Sequence, residues 1–175
     1  MIKQDILENR VNIAYLSIGS NLGNKKKNIE KAKYFLEKNL IKIVKTSSIY
    51  ETYSWPNRKH PKFYNIVIKI ITKLKPGDLF FTNKKIEKIL GRKKSSLNNP
   101  RTCDIDILDY QGMKLNLNVN NNKLLIPHPR LHNRNFVLFP LFEIEKNWKH
   151  PLKKTKIYDL IGKLDNYSFY SIKQI

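Results

Sequence analysis

At 175 residues, 41% of them hydrophobic, the chain suits one compact domain with a true core; two full domains would each sit near the lower limit of self-sufficiency. No apolar run approaches the ~18 residues that cross a bilayer, MIKQDILENR lacks the apolar core of a signal peptide, and the single cysteine, Cys103, excludes an intrachain disulfide or a cysteine zinc cage. The simplest location is the cytoplasm, and the charge, 34 Lys and Arg against 14 Asp and Glu, favours polyanionic partners, although lysine is spread evenly rather than gathered in one stripe.

VNIAYLSIGSNLG reads as a strand over Val11–Ile18 that runs into a glycine-containing turn. Asn24 is placed to cap the helix of Asn24–Asn39, where Ile29, Ala32, Phe35 and Leu36 recur at helical spacing. IKIVKTSSIYET alternates apolar with polar and reads as a second strand. A loop rich in Trp, Pro, Asn and His covers Tyr53–Lys62, and FYNIVIKIITKL is a third strand ended by Pro76-Gly77. Leu79, Ile86, Ile89 and Leu90 mark a helix over Asp78–Leu90, closed by Gly91. The basic loop RKKSSLNNPR then leads into the strand DIDIL. QGMKLNLNVNNNKLLIPHP predicts a hairpin with an asparagine-rich turn. HNRNFVLFPLFEIEK predicts a short helix that Pro140 ends or kinks, and KTKIYDLIGKLDNYSFY holds one more. The order strand, helix, strand, strand, helix, strand is that of an α+β, ferredoxin-like αβ sandwich, a mainly antiparallel sheet with helices on one face. The other face is then free for a ligand or for RNA. Residues 1–10 read as an N-terminal extension and 11–175 as a single domain.

The chemistry concentrates in NNPRTCDIDILDY. Side chains alternate along a strand, so Asp104 and Asp106 share one side, about 6.5–7 Å apart at Cα, while Cys103, Ile105 and Ile107 take the other. Both acids would ionise at pH 7 and repel one another, and a divalent cation relieves that repulsion. Hard oxygen ligands suit magnesium, which prefers carboxylates together with phosphates and water. A pair of this kind is also common on solvated strands. Here Arg92, Lys93, Lys94 and Arg101 lie in or beside the preceding loop, and IPHPRLHNRNF adds His128, Arg130, His132 and Arg134. Carboxylates ringed by phosphate-gripping cations describe phosphoryl transfer, in which positioning and charge neutralisation dominate. A solvated basic surface, or a structural hydrogen bond for either histidine, is the plainer reading of those residues. No phosphate-cradling glycine loop is present, and GSNLGN is only a turn. Trp55, Phe63, Asn65 and the distant Phe136 could hold a flat heterocycle by stacking and amide hydrogen bonds, or could be ordinary core.

IAYLSIGSNLGN, SSIYET, FYNIVI, KKIEKILGR, PRTCDIDIL and IPHPRLHNRNFVLFPLFEI, in this order, resemble the 6-hydroxymethyl-7,8-dihydropterin pyrophosphokinase family from about Ile13 to Ile144. The resemblance implies transfer of pyrophosphate from ATP to the hydroxymethyl group of a reduced pterin, giving AMP, in folate biosynthesis. It implies that Asp104 and Asp106 hold two magnesium ions, that Arg92 and Arg101 engage phosphates, and that Arg101 also acts during closure. His128 and Arg134 match ATP-contacting positions, and Glu87 one near the nucleoside. Thr52, Asn65 and Phe136 match the pterin pocket, with Phe63 in place of its other aromatic. The implied partners are ATP and the reduced pterin, without nucleic acid or membrane, and the expected state is a monomer. Four features depart from the family pattern: Asn99 replaces the glycine before Pro-Arg, the preceding loop lacks a tryptophan and is a residue short, and Tyr53-Ser54-Trp55 replaces a proline-containing segment. The competing class is an RNA-binding module, which the element order and charge permit. It lacks the basic-aromatic string such a sheet face needs, and its two acids would repel phosphates unless a metal intervened.

Overall fold

The computed structural model describes residues 11–93, 99–119 and 122–175. The extension 1–10, Lys94 of the basic loop and the tip of the asparagine turn at 120–121 lie outside the described residues. The chain builds β1 (Asn12–Ser20), α1 (Lys25–Lys38), β2 (Lys42–Thr46), β3 (Tyr50–Thr52), β4 (Phe63–Thr72), α2 (Pro76–Ile89) and β5 (Asp104–Tyr110). The hairpin β6 (Leu115–Val119) and β7 (Asn122–Ile126) follows, then a 3-10 turn at Leu131–Asn133 and helix α3 (Asn135–Ile144). Two short helices, α4 (Ile157–Ile161) and α5 (Asn166–Tyr170), and strand β8 (Lys173–Gln174) complete it. The sheet runs β5-β1-β4, with β2 and β3 both on the far side of β4 and β8 beyond β3; every pairing is antiparallel. That is the expected α+β, ferredoxin-like arrangement.

Local chemistry sets the boundaries. Asn24 caps α1 by accepting the Lys27 amide at 3.0 Å. Pro76 starts α2, where its missing N–H is not needed. The single strand expected over 41–52 is two, because Ser47 interrupts it. Its Oγ accepts the Val67 amide at 3.0 Å while its own amide donates to Val67 O, so a side chain stands in for a ladder partner. Pro140 lies inside α3 without ending it. Val137, Leu138, Leu141 and Ile144 all bury there, at roughly 1.5–3 kcal/mol each, which together outweigh the ~3 kcal/mol of an interior proline. The tail holds two short helices rather than one, since Asp165 opens the second by accepting the Ser168 amide at 2.7 Å.

One face of the sheet packs Leu16, Ile18, Ile68, Ile70, Ile105 and Ile107 against Ile29 and Leu36 of α1 and Leu79 and Ile86 of α2. The second face, expected to be free, is open over only part of its length. Tyr15, Val67 and Leu108 emerge there beneath α3 and α4, meeting Val137, Leu141, Ile157 and Leu160. The register of β5 against β1 slips at this point: Leu16 faces Ile107 but Tyr15 faces Asp109, which leaves Leu108 as an extra residue. The far half of β5, carrying Asp104 and Asp106, stays uncovered by helix and becomes the floor of a cavity.

Candidate active site

Cross-strand pairing lays out that floor. Gly19 of β1 sits between Asn65 of β4 and Asp104 of β5, and Ser17 sits between Val67 and Asp106. Alternation therefore puts Asn65, Asp104 and Asp106 on one surface, while Cys103, Ile105 and Ile107 enter the first core. A Cβ on Gly19 would lie 2.9 Å from Asn65 Oδ1 and 3.6 Å from the Phe63 ring, so only glycine leaves room for both. Asn65 is buried, and its Nδ2 donates to Thr52 Oγ1 at 3.1 Å.

A cavity of about 580 Å³ opens over this floor. It gathers Thr52, Trp55, Phe63 and Asn65 from β3, β4 and the loop between them. From the α2–β5 side come Arg92, Arg101, Asp104 and Asp106, and from the segment entering α3 come His128, Arg134 and Phe136. Of the residues to which the resemblance gives a role, Glu87 is the one not brought to the wall, and Lys93 of the basic loop does not line it either. The buried Glu87 carboxylate accepts the Ile105 amide at 2.7 Å and pairs with Lys84 (2.8 Å) and Arg92 (2.7 Å), so it braces Arg92 against β5. Burial pushes the Glu87 carboxyl above the usual range despite those cations. Of the basic residues flanking His128, Arg130 lines the cavity, whereas the ring of His132 packs edge-on to His150 instead.

Charge in the cavity is held in exchangeable pairs. Arg92 Nη1 and Arg101 Nε (3.0 Å) both contact the Asp104 carboxylate, and Arg101 Nε does so without hydrogen-bond alignment. Burial works against ionisation of Asp104, but the charges of Arg101, Arg92 and Lys84 prevail and hold its carboxyl below the usual range. Asp106 has looser company, with Arg134 Nη1 at 3.7 Å and His128 Nε2 at 3.9 Å. Burial lowers the His128 pKa, with Asp106 opposing and Arg134 and Arg130 assisting. A neutral ring whose Nδ1 accepts the Arg130 amide (3.2 Å) carries its proton on Nε2, which lies 3.5 Å from Arg134 Nη1 and 3.9 Å from Asp106 Oδ2. Two arginines bridge to the aromatic groups: Arg101 lies 5.3 Å over the Phe63 ring and Arg134 5.3 Å over Phe136.

Among the described residues no cluster of three or more His, Cys, Asp or Glu could cage a metal. The donor set fits a hard cation that takes two carboxylates from the protein and its other oxygens from phosphates and water, as magnesium does. Holding one would require Arg92 and Arg101 to release Asp104, and their unaligned or shared contacts leave them able to. A second cavity of about 210 Å³ adjoins Asp106 and His128 and is otherwise lined mainly by apolar groups, among them Phe80, Leu124, Leu125 and Pro129.

Several wall residues were not anticipated. Lys84 is three residues before Glu87 on the same helix, so helical spacing could have exposed it. Arg58, Tyr167, Ser168 and Ser171 carry no such signal, because a loop and the tail bring them in from afar, whereas Asn135 simply stands between Arg134 and Phe136.

Residues 15–146 match the model of the family described as 7,8-dihydro-6-hydroxymethylpterin-pyrophosphokinase (HPPK). The 2-amino-4-hydroxy-6-hydroxymethyldihydropteridine pyrophosphokinase of Aquifex aeolicus is 42% identical over 143 residues, which are 79% of this chain and 83% of that protein. The folic acid synthesis protein fol1 of Pneumocystis carinii is 41% identical over 150 residues and 86% of this chain, and the match spans 20% of its own length. The crystal structure of Plasmodium falciparum HPPK-DHPS wild type with pteroate aligns with a TM-score of 0.72 at 18% identity, covering 88% of this chain and 42% of that one, a likeness of fold.

Proposed function

This chain belongs to the 7,8-dihydro-6-hydroxymethylpterin-pyrophosphokinase family, and on that premise we propose that it transfers pyrophosphate from ATP to 6-hydroxymethyl-7,8-dihydropterin, releasing AMP, in folate biosynthesis. The observation that carries this reading is the placement of Asp104 and Asp106 in one cavity wall, between a cluster of arginines and an aromatic-amide pocket. Phe63, Phe136, Asn65 and Thr52 suit a flat, hydrogen-bonding heterocycle. The small apolar cavity beside Asp106 and His128 suits the purine of the nucleotide.

With the pterin stacked and held by Asn65, its hydroxymethyl group faces the carboxylate floor. Arg92, Arg101 and Arg134 exchange their carboxylate contacts for phosphate oxygens and fix the triphosphate in line. His128 donates a hydrogen bond from its Nε2–H to an oxygen of that chain. Asp104 and Asp106 would hold magnesium, two ions on this reading, which would supply positive charge to offset the negative charge of the phosphates. The hydroxymethyl oxygen bonds to the β-phosphorus, the bond to the α–β bridging oxygen breaks, AMP leaves with that electron pair, and the hydroxyl proton passes to solvent.

The same reading makes the protein a cytoplasmic monomer that binds neither nucleic acid nor membrane. Among the described residues no helix is long and apolar enough to cross a bilayer. Against RNA, the sheet face that would stack bases is roofed in part by α3 and α4. The test is incubation with ATP, magnesium and the reduced pterin alcohol. AMP and the pterin diphosphate should appear in equal amounts, and Asp104→Ala or Asp106→Ala should abolish both while the protein stays folded. ADP as the product, or full turnover by either variant, would refute the assignment.

A further inference from the structure

The family match ends at residue 146, yet the chain returns to the cavity after it. Tyr167, Ser168 and Ser171 all line the wall. The returning segment is fixed at both ends. β8 pairs with β3 (Tyr50 opposite Gln174, Glu51 opposite Lys173), and Ile175 N donates to Ile49 O at 2.9 Å, so the tail is stitched beside the strand that carries Thr52. α5 is tied to the start of α3, where Asn135 Nδ2 donates to Ser168 O at 2.6 Å, next in sequence to Phe136. The Phe169 ring also packs edge-on to Phe139 at 5.3 Å.

Just before these anchors, on α5, Tyr167 meets the loop of residues 53–62. The Arg58 guanidinium lies 4.2 Å over its ring. The base of that loop is held separately, by Asn21 Nδ2 donating to Ser54 Oγ (3.1 Å) and Pro61 O (3.2 Å), and by Ser54 Oγ donating to Pro61 O (2.6 Å). Tyr167 is therefore a hold on Arg58 beyond the loop's hydrogen-bonded base, and Trp55, largely exposed, lies between Ser54 and Arg58 in the chain and lines the same cavity.

We propose that the C-terminal segment is a positioning element for the pterin: Tyr167 captures Arg58 and latches the loop of residues 53–62 across the mouth of the aromatic-amide pocket. The proposal rests on the functional reading above, which gives Thr52 and Phe136, the tail's two neighbours, to the heterocycle. A cation–π contact at an exposed rim shifts an open–closed equilibrium by about two- to fivefold, and by more once a ligand has displaced water from it. That is weak enough to open for entry and strong enough to slow escape. The nucleotide would lie across the floor, on the side of Asp106 and His128, and would not feel the latch directly.

The experiment compares wild type with Tyr167→Ala, Arg58→Ala, the double variant and Tyr167→Phe. Pterin affinity is titrated in the presence of magnesium and a non-hydrolysable ATP analogue, affinity for that analogue is titrated alone, and amide exchange over residues 53–62 is followed in the ligand-free protein. Each alanine variant should weaken pterin binding by roughly three- to tenfold, and the double variant should be no worse than either single one. Tyr167→Phe should restore binding, nucleotide affinity should not move, and exchange in the loop should quicken. Unchanged pterin affinity, multiplying losses in the double variant, or a parallel loss for the nucleotide would overturn the latch. If the wild-type protein binds no pterin, it is the functional reading that fails. Loop exchange then decides alone: quicker in Tyr167→Ala keeps the latch, unchanged removes it.

Discussion

Gly19→Ala should damage the heterocycle pocket while sparing the nucleotide. Gly19 lies in an ordinary strand, so the substitution adds one methyl group without straining the backbone. That carbon would lie 2.9 Å from Asn65 Oδ1, where ordinary contact begins near 3.4 Å, so about 0.5 Å must be found. The backbone cannot supply it easily, since Gly19 and Asn65 are register partners in the middle of the sheet. The Asn65 side chain must move instead, and it is buried and tied to Thr52 Oγ1. Breaking or misdirecting one buried hydrogen bond costs about 1–3 kcal/mol, which corresponds to roughly 5- to 150-fold in affinity. Equilibrium titration with the reduced pterin, with magnesium and a non-hydrolysable ATP analogue present, should show a loss in that range, while the analogue alone binds as before. A variant that binds pterin within twofold of wild type would show that Asn65 does not hold the heterocycle; equal losses for both ligands would point to general damage to the sheet.

Glu87→Ala should lower stability by about 2–4 kcal/mol in denaturant titration, since it strands the Ile105 amide, takes from Lys84 its carboxylate and leaves Arg92 with Asp104 alone. Glu87→Gln, which keeps an acceptor for Ile105, should cost less; equal costs would contradict the bracing role. Asn83 is fully buried with neither side-chain polar atom hydrogen-bonded, so Asn83→Leu should raise stability by about 1–2 kcal/mol, and a decrease would reveal a partner that matters. His150 should make the protein acid-sensitive: burial, then His132 and Lys153, bring its pKa down from 6.5 to about 4. Its contribution is complete above 6.5 and drains away as the pH falls to about 4, amounting to roughly 1–2 kcal/mol after screening. His150→Asn should flatten stability across that window, and an unchanged slope would exclude His150 as its source.

The order of the long strands and helices was legible because β1, β4 and β5, and the two 14-residue helices, are long enough to show their period. The same alternation put Asp104 and Asp106 on one surface and Cys103, Ile105 and Ile107 in the core, as found. Features set by distant partners were hidden. Asn21 looked like part of a glycine turn, yet it accepts the Arg101 amide at 2.8 Å and holds Ser54 and Pro61, all far along the chain. Ser47 splits a strand through one side-chain bond to Val67. Five-residue helices such as α5 have too few turns to show an inward face, so Tyr167 and Ser171 gave no sign of reaching the cavity. Glu87 shows the converse: a residue whose place was set by resemblance is spent on internal bracing, and only the packing of α2 on β5 reveals it.

The central claim is that Asp104 and Asp106 exist to hold divalent cations against a polyphosphate, and manganese retention tests it most directly. With a non-hydrolysable ATP analogue bound, electron paramagnetic resonance should find Mn2+ held by the protein–nucleotide complex, and Asp106→Asn should weaken that retention by roughly tenfold or more. Retention equal to wild type in the folded Asp106→Asn protein would contradict the claim.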